Sequence, residues 1–97
     1  MIVVRDELHI APEGMKSAKE TAKEMVRVEA GRGPGSVRVL CDLIGDYYTL
    51  VIESEATDLA TYEKWITKMM ADDAWQKSYS KLRPHVRGGK RAVYTVL

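Results

Sequence analysis

The last quarter of this sequence contains no acidic residue. Residues 74–97 hold six bases and no Asp or Glu, while residues 1–73 hold fourteen acids and nine bases. The formal net charge of +1 therefore hides a split of −5 against +6. There is one cysteine, Cys41, so no internal disulfide can form. It lies in an apolar run, which predicts a reduced, buried and inert thiol. No apolar stretch approaches the ~20 residues of a membrane span, so no membrane partner is expected. The opening Met1-Ile-Val-Val-Arg-Asp-Glu7 places charges where a secretion signal needs an apolar core. A cytoplasmic protein is expected. The near-neutral total and the acidic remainder also argue against nucleic acid as a partner.

What is present suits a globular chain. At 97 residues, 45% apolar and 30% charged, it reads as one domain spanning 1–97. Such a chain can bury roughly two-thirds of the surface it exposes when unfolded.

Residues 2–10 alternate as a strand. Ile2, Val4, Leu8 and Ile10 share one face with a single polar member, Asp6. Pro12 and Glu13 suit the first turn of a helix. Its buried stripe is Met15, Ala18, Ala22, Met25 and Val26, and Gly31 stops it. Gly31-Arg-Gly-Pro-Gly-Ser36 reads as a flexible loop.

Residues 37–44 and 47–54 predict a hairpin with a tight turn at Gly45-Asp46. Ile44 then opposes Tyr47, and Arg38 opposes Glu53 as a cross-strand ion pair. One face, from Val37 and Val39 to Tyr48, Leu50 and Ile52, is a core surface. The other carries Leu40, Ile44, Tyr47 and Val51 and is too apolar to be left in water. Thr57 or Asp58 caps a second helix with Leu59, Tyr62, Ile66, Met69 and Met70 inward and Trp65 beside them. Asp72 or Asp73 caps a short third helix limited by Pro84. Arg87 to Arg91 reads as a basic loop, and residues 91–97 as a final strand.

The order β-α-β-β-α-β favours an α+β ferredoxin-like fold. Its antiparallel four-stranded sheet would run 4-1-3-2, with the helices on one face. The uncovered face, with Val3, Leu40, Ile44, Tyr47 and Val51, asks for a partner. A second copy packed sheet to sheet makes a homodimer, a dimeric α+β barrel.

Glu53-Ser-Glu-Ala-Thr-Asp-Leu-Ala-Thr-Tyr-Glu-Lys-Trp65, the stretch from Met70-Ala-Asp-Asp-Ala-Trp75 to Pro84, and Pro12-Glu-Gly14 carry a resemblance. They resemble NIPSNAP-type domains of the dimeric α+β barrel superfamily, which also holds antibiotic-biosynthesis-type and haem-degrading monooxygenases. The resemblance implies a pocket between helices and sheet. By pattern, Asp6 falls near the Asn of the haem-degrading members, Trp65 near their Trp and Tyr79 near their His ligand. This sequence has no Asn, and Tyr79 replaces the imidazole, so no haem or other cofactor is expected. The cofactor-independent members use Trp, Tyr, Asn and Arg around a phenolic substrate. Trp65, Tyr79 and Arg83 resemble part of that set, and Asp6 could serve as a base. Asp6, Trp65 and Tyr79 are the candidate catalytic residues. Tyr48, Tyr62, Trp75 and Arg83 are the candidate ligand contacts.

A plainer reading stands beside it: Trp65, Trp75 and Tyr79 pack helix against sheet with their polar tips near solvent. His9 and His85 lack acidic or Cys neighbours at ligand spacing, so no metal is expected. Two functions stay open. One is a NIPSNAP-like binding or interaction module. The other is a cofactor-independent monooxygenase acting on a small aromatic or polyketide-like compound. The basic C-terminal segment would face acids such as Glu53, Asp58 or Asp72 of the same dimer, or guard a pocket mouth and favour an anionic or phenolate ligand.

Overall fold

The structure is a computed structural model and describes residues 1–29 and 31–97. Strand β1 runs Ile2–Ile10, helix α1 Met15–Glu29, β2 Val37–Cys41 and β3 Thr49–Ala56. Helix α2 follows at Leu59–Met70, α3 at Asp73–Leu82 and β4 at Val86–Thr95. Pro12–Gly14 and Arg83–His85 are single 3₁₀ turns, each with a proline in its first positions. The sheet is antiparallel in the order β2-β3-β1-β4, the arrangement expected for an α+β ferredoxin-like fold.

The even-numbered face of β1 meets the helices, as its alternation predicts. Val4 and Ile10 are buried there, with Leu50 and Ala56 of β3 beside them. Met15, Ala18, Ala22 and Met25 of α1 close over this face. Asp58 caps α2 by accepting the Thr61 N–H, and Asp72 caps α3 by accepting that of Ala74. On α2 only Tyr62 is fully buried, and Leu59 and Met70 are exposed. The predicted stripe was therefore too wide at both ends of that helix.

The hairpin keeps its expected register, and Arg38 stands opposite Glu53. Its turn is not the two-residue turn at Gly45-Asp46. The strands stop at Cys41 and Thr49, where the Asp42 side chain accepts the Thr49 N–H at 2.9 Å. That bond ends the ladder early. Tyr48 then takes a left-handed φ of 58°, outside strand geometry. Leu43, Ile44 and Tyr47 project from this loop at 95%, 96% and 85% exposure. Ile44 and Tyr47 are thus not on the open sheet face, and Tyr48 is not on the core face. Cys41 is exposed rather than buried, because it ends the edge strand β2.

The segment read as a basic loop is the body of β4. Lys90 pairs with Glu7 and Arg91 with Asp6, so complementary charges lock it to β1. Arg87 reaches Glu13 at 3.3 Å. Within the chain, the acid-free segment therefore pairs with Asp6, Glu7 and Glu13. On the open face, Glu53 lies between Arg5 at 2.9 Å and Arg38 at 2.7 Å. No helix among the described residues is long and apolar enough to cross a membrane.

Candidate functional site

The buried apolar residues form two clusters rather than one. The first joins Ile10, Met15, Ala18, Ala22, Met25, Leu50 and Leu82, with Trp75 packed on it. The second joins Val4, Ala56 and Tyr62, with Trp65 and Ile66 against it. Protein interiors are close-packed, so a divided core marks space between its parts. A cavity of about 320 Å³ borders members of both clusters, including Met25, Leu82, Tyr62 and Trp65. That volume is within the range of small-molecule sites.

The floor comes from the sheet. Asp6 and Leu8 of β1, Ile52 and Ser54 of β3, Val37 of β2 and Arg91 of β4 border the space. The walls come from all three helices. Trp65 meets Tyr62 edge to face at 5.9 Å between centroids, and Trp75 stacks on Tyr79 at 4.9 Å and 9°. The loop after α1 also reaches the site. A Cβ on Gly33 would stand 2.9 Å from the Trp65 ring, so glycine lets the backbone lie against the indole. Ser36 holds the same loop to Glu55: its hydroxyl bonds the carboxylate and its carbonyl accepts the Glu55 N–H.

Besides Ser54 and the aromatic tips, polar groups enter at two places. Arg91 Nε donates to Asp6 Oδ1 at 2.5 Å across the β1–β4 ladder. The bond and the adjacent Asp6 charge raise the Arg91 pKa, against burial. Burial raises the Tyr62 phenol above its ordinary 10.0, and the Asp6 charge adds to the shift while Arg91 opposes it. The second polar group is Glu29, at the end of α1 and buried against the same space.

The structure brings Asp6, Trp65 and Tyr79 to one cavity, with Tyr62 and Trp75. It does not bring Tyr48 or Arg83 there. Tyr48 sits in the β2–β3 loop and Arg83 is exposed in the 3₁₀ turn after α3. Sequence reasoning missed Arg91 and Glu29. Placing Arg91 required the β1–β4 register. Helical spacing could have shown Glu29, which lies four residues after Met25 on the buried stripe.

No family model matches the chain, and no curated protein sequence does either. Solved structures are similar to nearly the whole of this chain. A NIPSNAP family protein from Agrobacterium tumefaciens superimposes with a TM-score of 0.88 at 14% identity, covering 99% of this chain and 85% of that one. An uncharacterised NIPSNAP domain protein from Burkholderia xenovorans gives 0.86 at 12% identity, covering 100% and 95%. An antibiotic biosynthesis monooxygenase gives 0.79 at 17% identity, covering 100% and 99%. At these identities the likeness is one of fold. The chain has the α+β ferredoxin-like fold shared by NIPSNAP domain proteins and antibiotic biosynthesis monooxygenases.

Proposed function

We propose that this protein is a homodimeric binding module that holds a small, flat, largely apolar molecule between its helices and its sheet. The observation that carries this reading is the cavity itself. It divides the core, its walls are aromatic, and among the described residues polar groups enter it only at Asp6–Arg91, Glu29, Ser54 and the aromatic tips. The cavity opens to solvent beside the exposed Met70 and Tyr79, and a ligand that displaces water from its apolar walls gains by burying them. The charged lining, with Asp6, Glu29 and Arg91, carries one excess negative charge if each is ionised, and it does not favour an anionic ligand.

The homodimer is supported by the open sheet face. The buried clusters draw on the helix-facing side of the sheet, whereas Leu40 and Tyr94 on the other side are exposed. A cytoplasmic setting goes with the exposed thiol of Cys41, which has no second cysteine to pair with.

Tryptophan emission during titration with a panel of bicyclic aromatic compounds tests the binding reading. Saturable quenching is expected, and Ile52→Phe, which fills the floor, should abolish it while the protein stays folded. Unchanged quenching in that variant, or none with any compound, would overturn it. Cofactor-independent oxygenation is the second reading. It is favoured by one observation, the meeting of Asp6, Trp65 and Tyr79 at a single cavity. Dioxygen consumption with a phenolic compound from the same panel distinguishes the two.

A further inference from the structure

We infer that the cavity takes a flat, neutral molecule with an amide edge, an N–H beside a C=O as in a ring lactam, and that the Asp6–Arg91 pair reads that edge. This rests on the binding reading above and names its ligand class. Three observations carry it. The pair is joined by one hydrogen bond, Arg91 Nε to Asp6 Oδ1, and not by the two parallel bonds that arginine and a carboxylate can make. Among the described residues, no hydrogen bond reaches Asp6 Oδ2 or either Arg91 Nη. These atoms are not sealed in, since the two side chains keep 23% and 59% of their surface exposed. The pair therefore keeps one acceptor and several donors for a ligand.

Charge gives the second observation. Asp6 and Arg91 offset one another, so what they leave open suits a neutral partner. An ammonium has donors only and meets the guanidinium as a like charge. A carboxylate has acceptors only and meets Asp6 in the same way. An amide edge gives its N–H to Oδ2 and takes an Nη donor on its carbonyl. Glu29, the other charge on the lining, is matched by Arg32 at 3.5 Å. The third observation is what surrounds the pair. Ile52 stands opposite Asp6 in the ladder, and Leu8 follows Asp6 on the same face. Tyr62 and Trp65, edge to face, border the same space. A flat ring can lie against these groups with its polar edge turned to Asp6 and Arg91.

The experiment is calorimetric titration at about pH 7 with four bicyclic probes: 2-quinolinone, N-methyl-2-quinolinone, 2-naphthylmethylamine and 2-naphthoate. The lactam should bind roughly tenfold or more tightly than its N-methyl form, which has lost the donor, and than the amine or the carboxylate. Asp6→Asn keeps an oxygen for Arg91 Nε and puts a donor in place of Oδ2. It should cut the preference for the lactam over its N-methyl form to about twofold or less. If the amine or the carboxylate binds as tightly as the lactam, or a folded Asp6→Asn keeps the full preference, the amide assignment is wrong and the cavity still binds. If no probe binds, the cavity reading itself is wrong. Should Asp6→Asn fail to fold, the ranking on the unaltered protein decides.

Discussion

Arg91 and Asp6 face each other across the β1–β4 ladder, on the side of the sheet covered by the helices, and share a hydrogen bond. The two residues are 85 positions apart in the chain. Their pairing does two things at once. It docks a strand rich in bases onto a strand that carries acids, and it sets a closed ion pair in the floor of an apolar cavity. It also accounts for part of the charge asymmetry between the chain's two segments.

Removing this pair should loosen the β4 edge. Arg91→Ala and Asp6→Asn should each lower stability by about 1 kcal/mol, as expected for a partly exposed pair. A double-mutant cycle by urea denaturation should give a coupling of similar size, about 0.5–1 kcal/mol. Additive effects would show that the pair contributes geometry and not stability.

Tyr62 reports on the same pair through its phenol. Burial and the Asp6 charge hold its ionisation above 10.0. Where the folded value lies above the unfolded one, stability is complete below the unfolded value and falls as pH rises beyond it. The protein should therefore lose stability above pH 10.0, and Tyr62→Phe should reduce that loss. In spectrophotometric titration, Asp6→Asn should move the Tyr62 transition down and Arg91→Ala should move it up.

Glu53 governs the acid side. Its hydrogen bonds to Arg38 and then Arg5 hold its carboxyl below the ordinary 4.5, against burial. A lowered folded value gives stability that is present above 4.5 and lost as pH falls through the folded value. Glu53→Gln should flatten this acid limb. Urea midpoints compared from about pH 7 to about pH 3 provide the measurement.

The Gly33–Trp65 contact can be read by fluorescence. With Trp75 replaced by Phe, Trp65 is the sole tryptophan. Gly33→Ala then places a methyl against its ring, and the indole must shift. The emission maximum should change while stability falls by less than about 1 kcal/mol, because a ring at the end of a side chain can give way.

Leu40 tests the assembly. It is exposed on the open sheet face, opposite Val51. Leu40→Lys should leave the circular dichroism spectrum unchanged and convert the proposed homodimer to monomer in light scattering. A dimer of full strength in this variant would place the interface elsewhere.

Much of the fold was legible in the sequence because local patterns agreed with one another. The alternation in β1, the 3.6-residue stripe of α1, caps at Thr57 or Asp58 and at Asp72 or Asp73, and the Arg38–Glu53 pairing are all short-range signals; the structure chose Asp58 and Asp72. The errors fell where a side chain overrode a local preference. Asp42 closed the hairpin before Gly45-Asp46 could turn it, so Ile44 and Tyr47 left the sheet. Residues 87–91 read as a loop because glycines and like charges are poor strand formers alone. Glu7 and Asp6 opposite them made a strand of that stretch.

The candidate site divides in the same way. The sequence alone determined that Asp6 would be the one polar group on an apolar strand face and that Trp65, Trp75 and Tyr79 would lie on helices over it. Periodicity decides which side of an element a residue occupies. Only the tertiary structure decided that these residues leave a cavity, that Arg91 closes on Asp6, and that Glu29 is buried beside it. Those outcomes depend on the spacing of side chains brought together from β1, β4 and three helices. No local pattern carries that distance.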